Sequence, residues 1–81
     1  MKIAFVVNDV DTESPEYTTT RLALAANSMG HEAWFIGVGD FAYEESGRVS
    51  ARARAGAEKQ YKSLERYLGD VQGSALSLIH I

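Results

Sequence analysis

Two short apolar runs with a helical stretch between them limit the fold of this chain more than any other feature. Ile3-Ala4-Phe5-Val6-Val7 is continuous and rich in β-branched side chains, the pattern of a strand buried on both faces of a parallel sheet. It predicts a first strand over 3–7, central in its sheet. Thr18-Thr19-Thr20 opens a stretch in which Leu22, Ala25, Ala26 and Met29 recur at helical spacing, and Gly30 supplies a residue that can end a helix in the left-handed conformation. The spacing predicts a helix over 18–29. Glu32-Ala33-Trp34-Phe35-Ile36-Gly37-Val38 reads as a second buried strand. Strand, helix and parallel strand make a right-handed crossover unit, so the expected class is α/β with the start of a Rossmann-like parallel sheet.

The segment between the first strand and the helix, Asp9 to Tyr17, has four acids, the only proline and no periodicity. It is a loop, longer than the two to six residues usual in a βα connection, and excess length at this place is often functional. After the second strand the period changes to two. Phe41 and Tyr43 alternate with polar neighbours, Glu45-Ser46-Gly47 turns the chain, and Val49, Ala51 and Ala53 alternate with Ser50, Arg52 and Arg54. This predicts a hairpin over 41–54. Ala57, Tyr61, Leu64 and Leu68 then share a face, with Glu58 and Lys62 four apart, so an amphipathic helix over 57–68 capped by Gly69 is expected.

With 81 residues, only one core can form. There is no cysteine, which removes disulfides, thiolate zinc sites and a cysteine nucleophile, and a reducing cytoplasm fits that composition. The first apolar run is too short and too near the start for a signal peptide or a membrane span, so a soluble protein with no membrane partner is expected. Net charge is −3, but residues 1–45 carry eight acids and two bases while 46–81 carry three acids and six bases. The basic half lacks the dense Lys/Arg patch with interleaved aromatics that nucleic-acid binding needs.

Residues 76–81, Leu-Ser-Leu-Ile-His-Ile, match the in-frame translation of CTG TCT CTT ATA CAC ATC, the start of a transposase adapter used in sequencing libraries. On that reading the tail is an artefact, residues 1–75 are the amino-terminal part of an incomplete domain, and the natural protein continues beyond Ala75. The alternative is a genuine short strand.

Ligands of open α/β sheets bind beyond the carboxyl ends of the strands, beside helix amino termini. Thr18, Thr19 and Thr20 would put hydroxyls and free N–H groups there, suited to a carboxylate or phosphate. The alternative makes one threonine an N-cap and the others solvated first-turn residues. Asp40, at the end of the second strand, is placed for a polar ligand contact or for starting a turn. Arg52 and Arg54, two apart on one strand, either clamp an anion or form a charged edge. The acids of the first loop lack the ordered spacing of a calcium loop, no Gly is followed by Lys-Ser or Lys-Thr as in a nucleotide phosphate loop, and Gly37-Val38-Gly39 leads into a hairpin where a dinucleotide fingerprint needs a helix. His31 has no nucleophile context and reads as structural. No catalytic, cofactor-binding or metal-binding residue is assigned.

In order, the chain presents Met1-Lys2-Ile3-Ala4-Phe5, an Asn-Asp loop, Thr18-Thr19-Thr20-Arg21-Leu22-Ala23, Met29-Gly30-His31-Glu32, Gly39-Asp40-Phe41 and Ala51-Arg52-Ala53-Arg54. Over roughly residues 1–72 this resembles the amino-terminal, pre-ATP-grasp domain of bacterial glutathione synthetase and related ATP-grasp carboxylate–amine ligases. The resemblance implies a parent protein in which further domains clamp ATP and magnesium. There a carboxylate is activated as an acyl phosphate and attacked by an amine, as when γ-glutamylcysteine is joined to glycine. It also implies a small amino-acid or peptide substrate, a homo-oligomeric parent, and a fragment that is catalytically silent by itself. Thr18, Thr19, Thr20 and Asp40 would then be substrate-facing. Two other classes remain open from the residues: the start of a nucleotide-sugar glycosyltransferase, and a stand-alone small α/β binding or interaction module.

Overall fold

The computed structural model describes residues 1–81. β1 (Lys2–Val7) leads through a 3-10 turn at Val10–Thr12 to α1 (Thr18–Ser28), and α1 returns the chain to β2 (Glu32–Gly37). β1 and β2 pair in parallel with Lys2 opposite Glu32 and Val7 opposite Gly37, which makes the crossover unit expected from the sequence. A second 3-10 turn, Val38–Asp40, follows, then β3 (Phe41–Tyr43) and β4 (Val49–Ala53), an antiparallel hairpin with Tyr43 opposite Val49. Gly47 turns this hairpin at a φ of +83, a conformation other residues rarely take. α2 (Leu64–Gly73) and β5 (Ser77–His80) complete the chain. No helix is long and apolar enough to cross a membrane.

The two sheets are joined. Phe35 in β2 and Arg54, just past β4, exchange backbone hydrogen bonds of 2.7 and 2.9 Å, an isolated antiparallel bridge that fastens the hairpin to the free edge of β2. The main core lies on one face of the parallel pair. Val7, Ala33 and Phe35 from the strands, Val10 from the loop, Ala23 and Ala26 from α1, and Tyr67 and Val71 from α2 are all buried together. A smaller cluster on the opposite face packs Ile36 against Ala51 and Ala53.

Four expectations are corrected. β1 is not buried on both faces: its exposure alternates, Val6 is half-exposed, and β2 is its sole partner strand. Continuous apolar character reads as two-sided burial, but here only the face under α1 is covered. The face of α1 that enters the core is Thr20, Ala23 and Ala26, with Leu22 and Met29 exposed. Small side chains let the helix lie close to the sheet, and hydrophobicity alone picks the larger, outer residues. The second helix covers 64–73, not 57–68. Ser63 caps it by accepting from the Arg66 N–H at 3.2 Å, so Gly69 lies inside it. Residues 57–60 stay irregular because they bond elsewhere: Asn27 donates to the carbonyls of Glu58 and Lys59, and Gln60 donates to the Ser28 carbonyl. Lastly, the second strand stops at Gly37, one residue early, and Asp40 belongs to the turn after it.

Candidate functional site

The carboxyl ends of β1 and β2 open into a cleft of about 270 Å³ that includes Asn8, Asp9, Asp11, Gly37, Asp40 and Arg54 in its lining. This is where open α/β sheets place ligands. A larger cleft, about 360 Å³, sits at the opposite end of β2 between Gly30, Trp34 and Gly56, away from the strand ends that present diverging backbone and loops.

Each wall of the smaller cleft has a local cause. Asp9 caps the first 3-10 turn, its Oδ1 accepting from the Asp11 N–H at 2.9 Å, which turns Asp11 back over the strand end. Gly37 permits the opposite wall: a Cβ there would lie 2.9 Å from Oδ2 of Asp40, so the missing side chain lets the Asp40 carboxylate sit over the end of β2. Asp40 is half-buried, and its carboxylate accepts no hydrogen bond from the chain.

Arg54 forms the floor. Its side chain is only 20% exposed, and Nη1 donates to Asp11 Oδ1 at 2.7 Å and to the Gln72 carbonyl at 3.1 Å. Gln72 in turn donates through Nε2 to the carbonyls of Val10 and Glu13, at 2.9 and 3.3 Å. The first loop is thereby clamped to the last turn of α2. Nε of Arg54 is buried without a hydrogen-bond partner.

Of the residues picked from the sequence, Asp40 lies in this cleft, and Thr18, Thr19 and Thr20 do not line it. They form the first turn of α1, where Tyr17 is the N-cap and contributes no side-chain hydrogen bond. Thr18 is exposed and Thr19 half-buried. Thr20 is corrected as a ligand contact: it is fully buried and its hydroxyl donates to the Ser14 carbonyl at 2.9 Å, which pins the loop to the helix. Arg52 and Arg54 do not act as a pair either. Arg52 is exposed on the hairpin while Arg54 turns inward to Asp11. Gln72 and the Arg54–Asp11 pairing were missed, because they join positions 18 to 62 residues apart. The one legible signal was the inward parity of Ala51 and Ala53, which marks β4 as half-buried and so directs attention to the cation at its end.

A second polar knot lies outside the cleft. The Tyr61 hydroxyl donates to Asp70 Oδ2 and accepts from the Glu58 N–H, and Asp70 also accepts from the Ala57 N–H at 3.0 Å. The Tyr61 hydrogen bond and then the Ala57 N–H lower the Asp70 pKa. Burial first, then the bond to Asp70, raise that of Tyr61. No group of three or more His, Cys, Asp or Glu is placed to hold a metal ion.

A parallel strand–helix–strand unit with a polar cleft at the carboxyl edge of its strands is an α/β domain of the open-sheet class. The family described as prokaryotic glutathione synthetase, N-terminal domain, matches residues 1–79. The chain belongs to that family. No curated protein and no solved structure matches it.

Proposed function

We propose that this chain is the substrate-side amino-terminal domain of an ATP-dependent carboxylate–amine ligase resembling glutathione synthetase, acting in the cytoplasm, and that alone it catalyses nothing. The observation that carries the reading is the coincidence of the family match over residues 1–79 with a polar cleft at the carboxyl ends of its two parallel strands. The residues present do not fit ATP and magnesium. The chain has no phosphate-loop motif, its acids are not gathered into a metal site, and Asp11, the acid nearest the guanidinium, is already paired with Arg54.

What this chain supplies is position. The Arg54 and Gln72 clamps hold the first loop, so that Asn8, Asp9 and Asp40 face the cleft from a fixed frame. A wall fixed in this way orients a bound amino-acid or peptide substrate, and orientation is a large part of what such a ligase contributes to rate. Thr18 and Thr19, in the first turn of α1 and outside the cleft lining, would serve as a second polar contact.

The test is a chimera in which residues 1–75 replace the equivalent segment of a prokaryotic glutathione synthetase, assayed with ATP, γ-glutamylcysteine and glycine. ADP formation that requires both substrates is the expected result, with none from the 81-residue chain alone. A chimera that binds ATP yet never ligates, or ATP hydrolysis by the isolated chain, contradicts the proposal.

A further inference from the structure

One edge of β1 is open. The strand pairs with β2 alone, and the Glu32 N–H donates to the Met1 carbonyl, which fixes the parity of the pairing. The odd residues Ile3, Phe5 and Val7 therefore bond β2, while the N–H and C=O groups of Lys2, Ala4, Val6 and Asn8 point to the open side. Nothing in the strand blocks pairing there. It is six residues long, runs without proline or bulge, and carries a single charge, on Lys2 at its first position. The surface beside the edge is apolar. Val6 is 54% exposed on one face. On the other, Ile3 and Phe5 are only partly buried, because α1 packs more over β2 than over β1. Leu22 and Met29 are exposed on the flank of α1 away from Asn27, the residue that bonds the connector before α2.

Charge and symmetry select the occupant. The edge is basic where it starts, at Lys2, and acidic where it ends, at Asp9 after Asn8. A second copy turned end for end, about a two-fold axis through Phe5 and normal to the sheet, sets each basic end against the other copy's acidic end. Lys2 then opposes Asn8 of the other copy, and Ala4 opposes Val6. This is the one register that pairs the open groups of all four even residues, and Phe5 meets Phe5 at the axis as the close, non-hydrogen-bonded pair. Both α1 helices stay on one face, with the Leu22 and Met29 flanks turned toward the joint. We propose that this chain forms a two-fold dimer through its β1 edges, a continuous sheet of order β2-β1-β1-β2. Such an interface needs a patch that is complementary to itself, and this edge is one. The proposal is separate from the ligase reading and does not rest on it.

Sedimentation equilibrium of the unaltered chain should show monomer and dimer in exchange. A mixed sample of labelled and unlabelled chain should give an intermolecular NMR contact between the Phe5 Hα protons. Val6→Lys puts a charge on the exposed side of the edge and leaves the core intact, so it should weaken dimerisation about tenfold or more. Lys2→Glu should weaken it as well, and adding Asn8→Lys should restore it, because the two positions face each other only in this register. A chain that stays monomeric at NMR concentration, a dimer that Val6→Lys leaves as tight, or no rescue by the second substitution overturns the proposal. Exchange protection of the Ala4 and Val6 amides in a monomer also overturns it, since the chain would then be closing its own edge.

Discussion

Gly56 and Gly37 show how differently two close approaches weigh. A Cβ at Gly56 would lie 2.5 Å from the Tyr61 hydroxyl and within 3.2 Å of two of its ring atoms. A rigid ring cannot yield without leaving Asp70 and the Glu58 N–H. Gly56→Ala should therefore destabilise by about 1–3 kcal/mol, read as a fall in thermal midpoint of roughly 4 °C or more. Gly37→Ala meets only the mobile end of Asp40 and should cost less than about 1 kcal/mol, while moving the Asp40 signals. Equal losses at both positions would show that the Tyr61 knot is not what fills the space beside Gly56. Tyr67 makes a prediction of the opposite sign. It is fully buried and its hydroxyl has no partner, and burial pushes its pKa above the ordinary phenol range. Tyr67→Phe removes an unsatisfied group and keeps the ring against Phe35 and Tyr61, so the thermal midpoint should hold or rise. A clear fall would mean that the hydroxyl is bonded in solution.

At the scale of elements, the connector before α2 is held by titrating groups, so pH reads its docking. Asp70 has a lowered pKa in the fold, and its contribution is complete above the ordinary value of 3.8 and lost as pH falls through the folded value. Tyr61 and Tyr67 have raised values, so stability is retained up to the ordinary 10.0 and lost as pH climbs toward the folded values. Thermal midpoints should form a plateau between these limits, and Asp70→Asn should flatten the acid side. An acid limb unchanged in that variant would place the acid sensitivity elsewhere. This connector is also where sequence reading fell short. β1, α1, β2 and the hairpin follow from period and turn residues, which are local. The helix starts after Ser63, whose side chain accepts from the Arg66 N–H, whereas the apolar spacing of Ala57 and Tyr61 extends the expected helix backward. The hydrogen bonds that decide against helix there, from Asn27 to the Glu58 carbonyl and from Gln60 to the Ser28 carbonyl, tie it to α1, more than thirty residues away. The cleft divides in the same way: Asp40 was found from its place after a strand, but the burial of Thr20 and the inward turn of Arg54 depend on partners no spacing rule connects.

For the whole molecule, the question is how the tail relates to the rest. β5 pairs with β4, Ala51 opposite Ile79, and leaves Leu78 and Ile81 largely exposed. The main core contains none of residues 76–81. A chain ending at Ala75 should therefore keep the backbone signals of β1, α1, β2 and α2 and change only those of β4 and of the cleft wall beside Leu76. Loss of dispersed signals throughout would make the tail part of the fold. The central claim, that these residues open a ligase, is tested most directly by a long read through the source locus across the codon for Ala75. If the parent is such a ligase, the adapter-like codons are absent from the locus, and the frame runs on for a few hundred residues with a glycine-rich phosphate-covering loop and acidic magnesium ligands. A genomic frame that encodes Leu-Ser-Leu-Ile-His-Ile and then stops would contradict it and leave a small binding module in its place.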